Sequence, residues 1–508
     1  SSFANYLGND KFEIIYNISS GEKIYFNEFN IDLPIDYEQS NFDQLNKTFD
    51  KFKGKAYSLN AIDKILKEID KIVLNEQFEF LKSTVNEQIE DNLINLSFVI
   101  GESEKFYIQK INIYGNNITR EDVIRNNLLI DEGDAFNELL HTKTINRLKS
   151  LNFFSKVDTK IIDNKDQNKK TINITVEEKP TGEIMAGAGI GTSGGTIAFG
   201  VSENNFLGRG IEFSSDIAIS EETLKGLIAL NNPNYKGSNR SLNTSLENTT
   251  TDRLTDYGYK STKTGFSVGS GFEFYDDLYW NTGISSYIDK LETNSSASES
   301  LKKQDGSYFD TFFNQTFSYD KRNQRYKTTD GFISRFSQNI PIISDTYTLT
   351  NSYDYKTYNQ WLGENILSLG FYLKSTNSLN GEDVKLSDRL YLPSNKLRGF
   401  EAGKVGPKDG SNFIGGNYLS SINIATTLPQ VLPSLQNTNF SLFFDAANIW
   451  GIDYSSTLSD ESKIRSSIGI AVDFYTPIGP LNFSLSEPIT KGSNDTIEAF
   501  RFNLGTTF

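Results

Sequence analysis

From Arg465 to Phe508 the chain reads RSSIGIAVDFYTPIGPLNFSLSEPITKGSNDTIEAFRFNLGTTF. Ile468, Ile470, Val472 and Phe474 alternate with Gly469, Ala471 and Asp473. Phe483 and Leu485 alternate with Ser484 and Ser486, and Phe500, Phe502, Leu504, Thr506 and Phe508 take every second position. Successive strand side chains point to opposite faces, so each run has one apolar face and one small or polar face. A last strand of this kind, ending on an aromatic residue, is how a transmembrane β-barrel finishes.

The same texture extends back to about residue 184. Candidate strands include Gly210–Ser220, Leu242–Thr250, Gly265–Tyr275, Tyr279–Lys290, Phe309–Tyr319, Gly331–Ile340 and Ile366–Leu373. In Gly265–Tyr275, Phe266, Val268, Phe272 and Phe274 share one face, and Ser267, Gly269, Gly271 and Glu273 the other. At about 20 residues per strand and connection, residues 184–508 hold roughly 16 strands. Such a sheet must close, because lipid cannot satisfy an open edge. A soluble sandwich or propeller does not account for small and polar residues alternating with aromatics on so many strands. The stretch Met185–Gly195 contains GxGxG, but strand residues follow it where a phosphate-binding loop needs a helix, so it reads as a glycine-weakened first strand.

Composition bounds the function. Of 508 residues only 37% are apolar, yet 25 are Tyr, 37 Phe and 38 Gly. No run of about 18 apolar residues exists to form a transmembrane helix, a test that a barrel escapes. A net charge of −15 argues against a broad nucleic-acid footprint. Zero Cys excludes a disulfide framework and thiolate metal sites. No zinc motif, nucleophile elbow or paired-carboxylate pattern appears, the lone His141 is expected on a helix surface, and neither an enzyme nor a cofactor is expected. The first residues lack the basic start and apolar core of a signal peptide.

Before a polar Pro/Gly junction at Val176–Gly182, an internal repeat of β-α-α-β-β order appears. In the first copy, strand Lys23–Leu33 leads to helical segments Phe42–Phe52 and Leu59–Phe78, then strands Phe80–Glu90 and Leu93–Ile100. Ile62, Ile65, Leu66, Ile69, Ile72 and Val73 give the longer helix its apolar stripe. The second copy runs through strand Tyr107–Tyr114, a helix opened by a capping box at Thr119–Asp122, helix Phe136–Leu151 and strands Phe154–Ile162 and Thr171–Glu177. The later helix has Leu140, Ile145, Leu148 and Leu151 as its stripe. Residues 11–18 read as a strand with nothing before it to pair with.

This order, with the stretches GNNITREDVI (115–124) and LKSLNFFSKVDTKI (148–161), resembles the POTRA domain of outer-membrane assembly and secretion proteins. The expected fold is therefore α+β POTRA domains followed by an all-β transmembrane barrel of about 16 antiparallel strands. The expected domains are the end of a further POTRA unit (1–21), POTRA units at 22–103 and 104–180, and the barrel at 181–508. An exposed POTRA edge strand can accept an extended peptide by strand addition.

Leu397-Arg398-Gly399-Phe400, in a long loop at about 377–412, resembles the (V/L)RGF motif of the BamA superfamily. The resemblance implies that the loop folds into the barrel and that Arg398 pairs with an inner-wall acid, since an unpaired charge there is costly. Phe443–Trp450 resembles the strand carrying that acid, which makes Asp445 the expected partner. Asn423 stands where the family supplies a second acid. Gly415 and Gly416 resemble a small-residue patch that lets the loop approach the wall. Asn205–Gly210, Asp320–Phe332 and Thr476–Leu481 resemble further turns of the same barrel.

The resemblance implies outer-membrane insertion of client barrel proteins without a nucleotide. Clients would enter at a lateral seam formed by Gly187, Gly189 and Gly191 of the first strand and Phe500, Phe502, Leu504 and Phe508 of the last. Implied partners are unfolded barrel clients, outer-membrane lipid and accessory lipoproteins at the POTRA units, which would lie in the periplasm of a Gram-negative bacterium. Two-partner secretion or translocation-assembly export by the same superfamily is the alternative.

Overall fold

A computed structural model describes residues 2–8, 11–16, 23–33, 39–75, 81–90, 92–102, 106–164, 167–192, 194–295, 297–324, 328–361, 365–428, 438–455, 457–459, 462–476 and 479–504. The chain forms two compact units: residues 1–117 with 127–179, and residues 118–126 with 180–508.

In the first unit the repeat is realised twice. Strand Tyr25–Asp32 runs parallel to Leu93–Glu102, which pairs antiparallel with Leu81–Glu90. Tyr107–Tyr114, Lys169–Glu178 and Phe154–Asn164 repeat that arrangement. Each sheet thus has its last strand in the centre and its first two strands as edges. Helix Leu59–Asn75 buries Ile62, Ile65, Ile69 and Ile72 against Phe26, Phe49, Leu96 and Phe98, as its 3.6-residue stripe requires.

Three sequence readings are corrected. Residues Lys11–Tyr16 do have a partner, pairing antiparallel with Ser2–Gly8. The helix Glu121–Arg125 is not opened by a capping box: its N-cap is Arg120, which lacks a side-chain acceptor and pairs with Asp122 at 3.0 Å. His141 is not on the surface of helix Glu138–Ser150 but 8% exposed. The buried face runs through His141, Thr144 and Leu148, one turn and two turns apart. Thr144 Oγ1 accepts from the Leu129 amide at 3.0 Å, which puts a polar residue on the face the apolar stripe did not predict. Burial of His141 pushes its pKa below the usual imidazole value.

The second unit is a closed barrel of sixteen strands. In order they are Gly182–Gly191, Gly194–Phe206, Ile211–Ser220, Thr223–Asn232, Ser241–Arg253, Tyr259–Tyr275, Leu278–Thr293, Gly306–Asp320, Gly331–Ser344, Thr348–Gln360, Ile366–Ser378, Tyr418–Thr427, Thr438–Trp450, Arg465–Thr476, Gly479–Thr490 and Phe500–Leu504. All neighbours in the barrel are antiparallel, for example Tyr259–Arg253 through Gly271–Ser241. The period-two alternation sorts the wall. Ile197 and Phe199, Ile217 and Ile219, Phe266 and Val268, Ile422 and Ile424, and Ile468 and Ile470 are exposed on the outside. Their neighbours in sequence face the lumen. An outward apolar band on a closed sheet is the solution lipid demands. No helix among the described residues is long and apolar enough to cross a membrane.

Candidate functional site

The loop between the eleventh and twelfth strands spans residues 379–417, five residues further than the sequence reading placed its end. On the thirteenth strand Leu442 is exposed while Phe443, Asp445, Ala447 and Ile449 are buried, so Asp445 points into the lumen. Arg398 meets it there. Its Nε donates to Asp445 Oδ2 at 2.7 Å and its Nη2 to Oδ1 at 2.8 Å, a two-pronged fork. The Arg398 amide adds a third bond to Oδ2 at 3.1 Å, and the guanidinium lies 3.4 Å from the Phe443 ring centre. Ser467 Oγ donates to the Arg398 carbonyl at 2.5 Å. Asp445 is 0% exposed and the Arg398 side chain 22% exposed, so this charge pair is held away from bulk water.

Asn423 is the direct cross-strand partner of Asp445. It accepts nothing from Arg398. Its Nδ2 donates to Asp445 Oδ1 at 2.8 Å and to the Lys396 carbonyl at 2.9 Å. An amide therefore supplies the carboxylate with a further donor where an acid would have repelled it. Gly415 and Gly416 lie in the returning end of the loop. A Cβ on Gly415 would stand 2.3 Å from the Leu390 carbonyl oxygen, and one on Gly416 2.5 Å from that of Trp450. These glycines let the loop close on itself and on the thirteenth strand.

Other anchors were not legible as such in the sequence. Lys385, almost fully buried, sits between Asp289 at 3.2 Å and Asp310 at 3.0 Å on the seventh and eighth strands. Arg389 pairs with Asp453, and Lys396 with Asp354 at 3.0 Å. Arg465 and Asp495, both fully buried, pair at 2.9 Å, and Asp495 also accepts from the Gly406 amide at 3.1 Å. Leu390, Leu392, Leu397, Phe400 and Val405 of the loop pack with Leu419, Ala447 and Ile449 of the wall. The available signal was the spacing of basic residues along the loop and of acids at lumen-facing strand positions. It does not say which stands opposite which.

Gly399 has φ +88°, and a Cβ there would stand 3.2 Å from Ser467 Cβ and 3.3 Å from Ser486 Cβ. Gly399→Ala should therefore destabilise the loop by about 1–3 kcal/mol, seen as a lowered thermal unfolding midpoint. An unchanged midpoint would show that the loop does not depend on this turn.

The seam pairs the sixteenth strand with the first. Gly191 faces Asn503 and Ile190 faces Leu504, and the Thr192 amide donates to the Phe502 carbonyl at 3.2 Å. These are the paired positions among the described residues, which end at Leu504; on its other side the first strand pairs with the second from Gly182 to Gly191. Gly187 and Gly189 pair with Ala198 and Thr196 of the second strand. Phe500 is exposed on the outer face and stacks at 6.3 Å with Phe483 and with Phe502. Phe508 and the turn residues Pro477 and Ile478 lie outside the described residues. Of the other resembling turns, Asp320–Arg322 is locked by a fork at 2.8 Å on each prong.

The model of the Omp85 superfamily domain matches residues 205–508, and a POTRA model described as a surface antigen variable number repeat matches residues 106–179. The chain is 23% identical over 454 residues to the outer membrane protein assembly factor BamA of Nitratidesulfovibrio vulgaris, covering 85% of this chain and 55% of that protein. It is 24% identical over 462 residues to the BamA of Neorickettsia risticii, covering 86% of this chain and 60% of that one. It thus spans little more than half the length of these relatives. The crystal structure of BamA from Haemophilus ducreyi lacking POTRA domains 1–3 superposes with a TM-score of 0.72 at 23% identity, over 95% of this chain and 100% of the other. CdiB from Acinetobacter baumannii shares the fold more loosely, at a TM-score of 0.54 and 13% identity over 96% and 91% of the two chains. A barrel of sixteen strands, an inward loop held on an inner-wall aspartate and a family match over more than half of its length have one reading: the chain belongs to the Omp85 superfamily.

Proposed function

We propose that this chain carries the barrel and adjoining POTRA units of an outer-membrane β-barrel assembly factor, which inserts and folds client barrels at the seam between its first and last strands. The observation that supports the reading is the inward loop clamped by Arg398 to Asp445 inside a closed barrel whose last strand pairs with its glycine-rich first strand. Unpaired backbone N–H and C=O groups in lipid cost several kcal/mol each, so a loosened seam offers a strong incentive for a new strand to pair. A client's strand adds to that edge by β-augmentation, and the client's own folding supplies the free energy. No nucleotide or metal enters the scheme.

In this scheme the POTRA units at 22–103 and 104–180 stand in the periplasm. Their edge strands receive extended clients or accessory lipoproteins. The barrel's outer face meets outer-membrane lipid.

The chain, reconstituted in liposomes, should accelerate folding of a urea-unfolded outer-membrane barrel, read as protease protection of the client. Ion conductance without any acceleration would instead identify a passive channel. Release of a secreted passenger without client insertion would identify an exporter.

A further inference from the structure

The start of the last strand is held from inside the barrel, and the contact centres on one arginine. On the sixteenth strand Phe500 is exposed and Arg501 buried, so alternation turns the arginine into the lumen. Arg501 Nη2 donates to the Phe400 carbonyl at 3.0 Å, and its Nε to Glu498 Oε2 at 2.8 Å. Around this bond the loop and the segment entering the last strand run side by side. The Glu498 amide donates to the Gly399 carbonyl at 3.1 Å, the Glu401 amide to Thr496 at 3.0 Å and the Thr496 amide to Lys404 at 3.0 Å. Phe400 and Ile497 form an antiparallel bridge. Immediately before them, Asp495 joins Arg465 to the Gly406 amide.

Three residues therefore connect two regions the sequence presents separately. Arg398 is clamped to Asp445, Gly399 and Phe400 present their carbonyls, and those carbonyls hold Glu498 and Arg501. The same strand pairs with the fifteenth strand from Phe500 to Leu504 and meets the first strand at Asn503 and Leu504, two and three residues beyond Arg501. A hydrogen bond from a charged donor contributes about twice what a neutral one does. When a buried guanidinium loses one of its acceptors, the strand carrying it is held less firmly in place.

We propose that Arg501 is a positioning residue that couples the inward loop to the seam. With the loop seated on Asp445, Arg501 holds the last strand in register with Ile190 and Gly191. Release of the loop takes the Phe400 carbonyl away from Arg501 and loosens the seam. The inference rests on the assembly reading above for its purpose, but its physical content is a coupling between two sites of the barrel, measurable without a client.

Amide hydrogen exchange in lipid nanodiscs tests it. Arg501→Gln should raise exchange of the peptide containing Ile190–Thr192 by about tenfold, the effect of one lost charged hydrogen bond. Arg501→Lys keeps the charge and should raise it less. Arg398→Ala should raise exchange of the same peptide, and the double variant should add little to either single one. Exchange within Tyr259–Thr293, across the barrel wall, should not change, which confirms a folded protein. If Arg501→Gln affects only residues 495–501, the arginine is a local brace and the proposal is wrong. If Arg398→Ala leaves the seam's exchange unchanged, the coupling is absent. A loosened seam with normal client assembly would uphold the coupling and sink the seam-mediated function. An unchanged seam with normal assembly would sink the coupling alone.

Discussion

Arg398→Ala should free the tip of the inward loop, loosen the seam and disturb client assembly, while the rest of the barrel wall stays folded. The reason is the carboxylate it leaves behind. Asp445 is fully buried and, among the described residues, would keep only the Asn423 amide and the backbone N–H of position 398 as donors, with no cation. Removing one partner of a buried pair costs about 3–5 kcal/mol, because the remaining charge is uncompensated. The loss of the guanidinium against Phe443 adds to it. The rest of the loop remains anchored at Lys385, Arg389 and Lys396, so release is confined to the tip. Protease cleavage near residues 396–406 should appear in folded protein. Arg398→Lys should not restore protection, since an ammonium cannot make both prongs of the fork. Asp445→Asn with Arg398→Ala should recover part of the lost stability, because no buried charge then remains unpaired. Wild-type protease resistance and normal assembly in Arg398→Ala would mean that this clamp does not hold the loop.

The barrel was legible because lipid imposes a period. Ile468 and Ile470, or Phe266 and Val268, must face outward for the sheet to exist in a membrane, and that need is written residue by residue. The repeat was legible for a similar reason: Ile62, Ile65, Ile69 and Ile72 are a helical face that only packing against a sheet explains. His141 and Thr144 escaped because a polar residue on a buried face carries no hydrophobic signal. Arg398 and Asp445 were readable as a pair from the motifs they resemble. The remaining pairs were not. Lys385 reaches acids on the seventh and eighth strands, and Arg501 a carbonyl about a hundred residues earlier in the chain. Sequence assigns each charge to a face, but the height of a side chain in the lumen and the residue opposite it depend on register and closure. The register of the seam was invisible for the same reason, although its glycines were not.

Locking the seam tests the central claim most directly. The chain has no Cys, so Ile190→Cys with Leu504→Cys would be its only thiols. These residues are opposite each other across the seam. Antiparallel partners have Cα atoms about 4.5–5.5 Å apart, within the span a disulfide bridges. Oxidised protein should keep its heat-modifiable folded form and lose client folding in liposomes, and a reductant should restore it. Client assembly at the unlocked rate by the fully crosslinked protein would contradict the account.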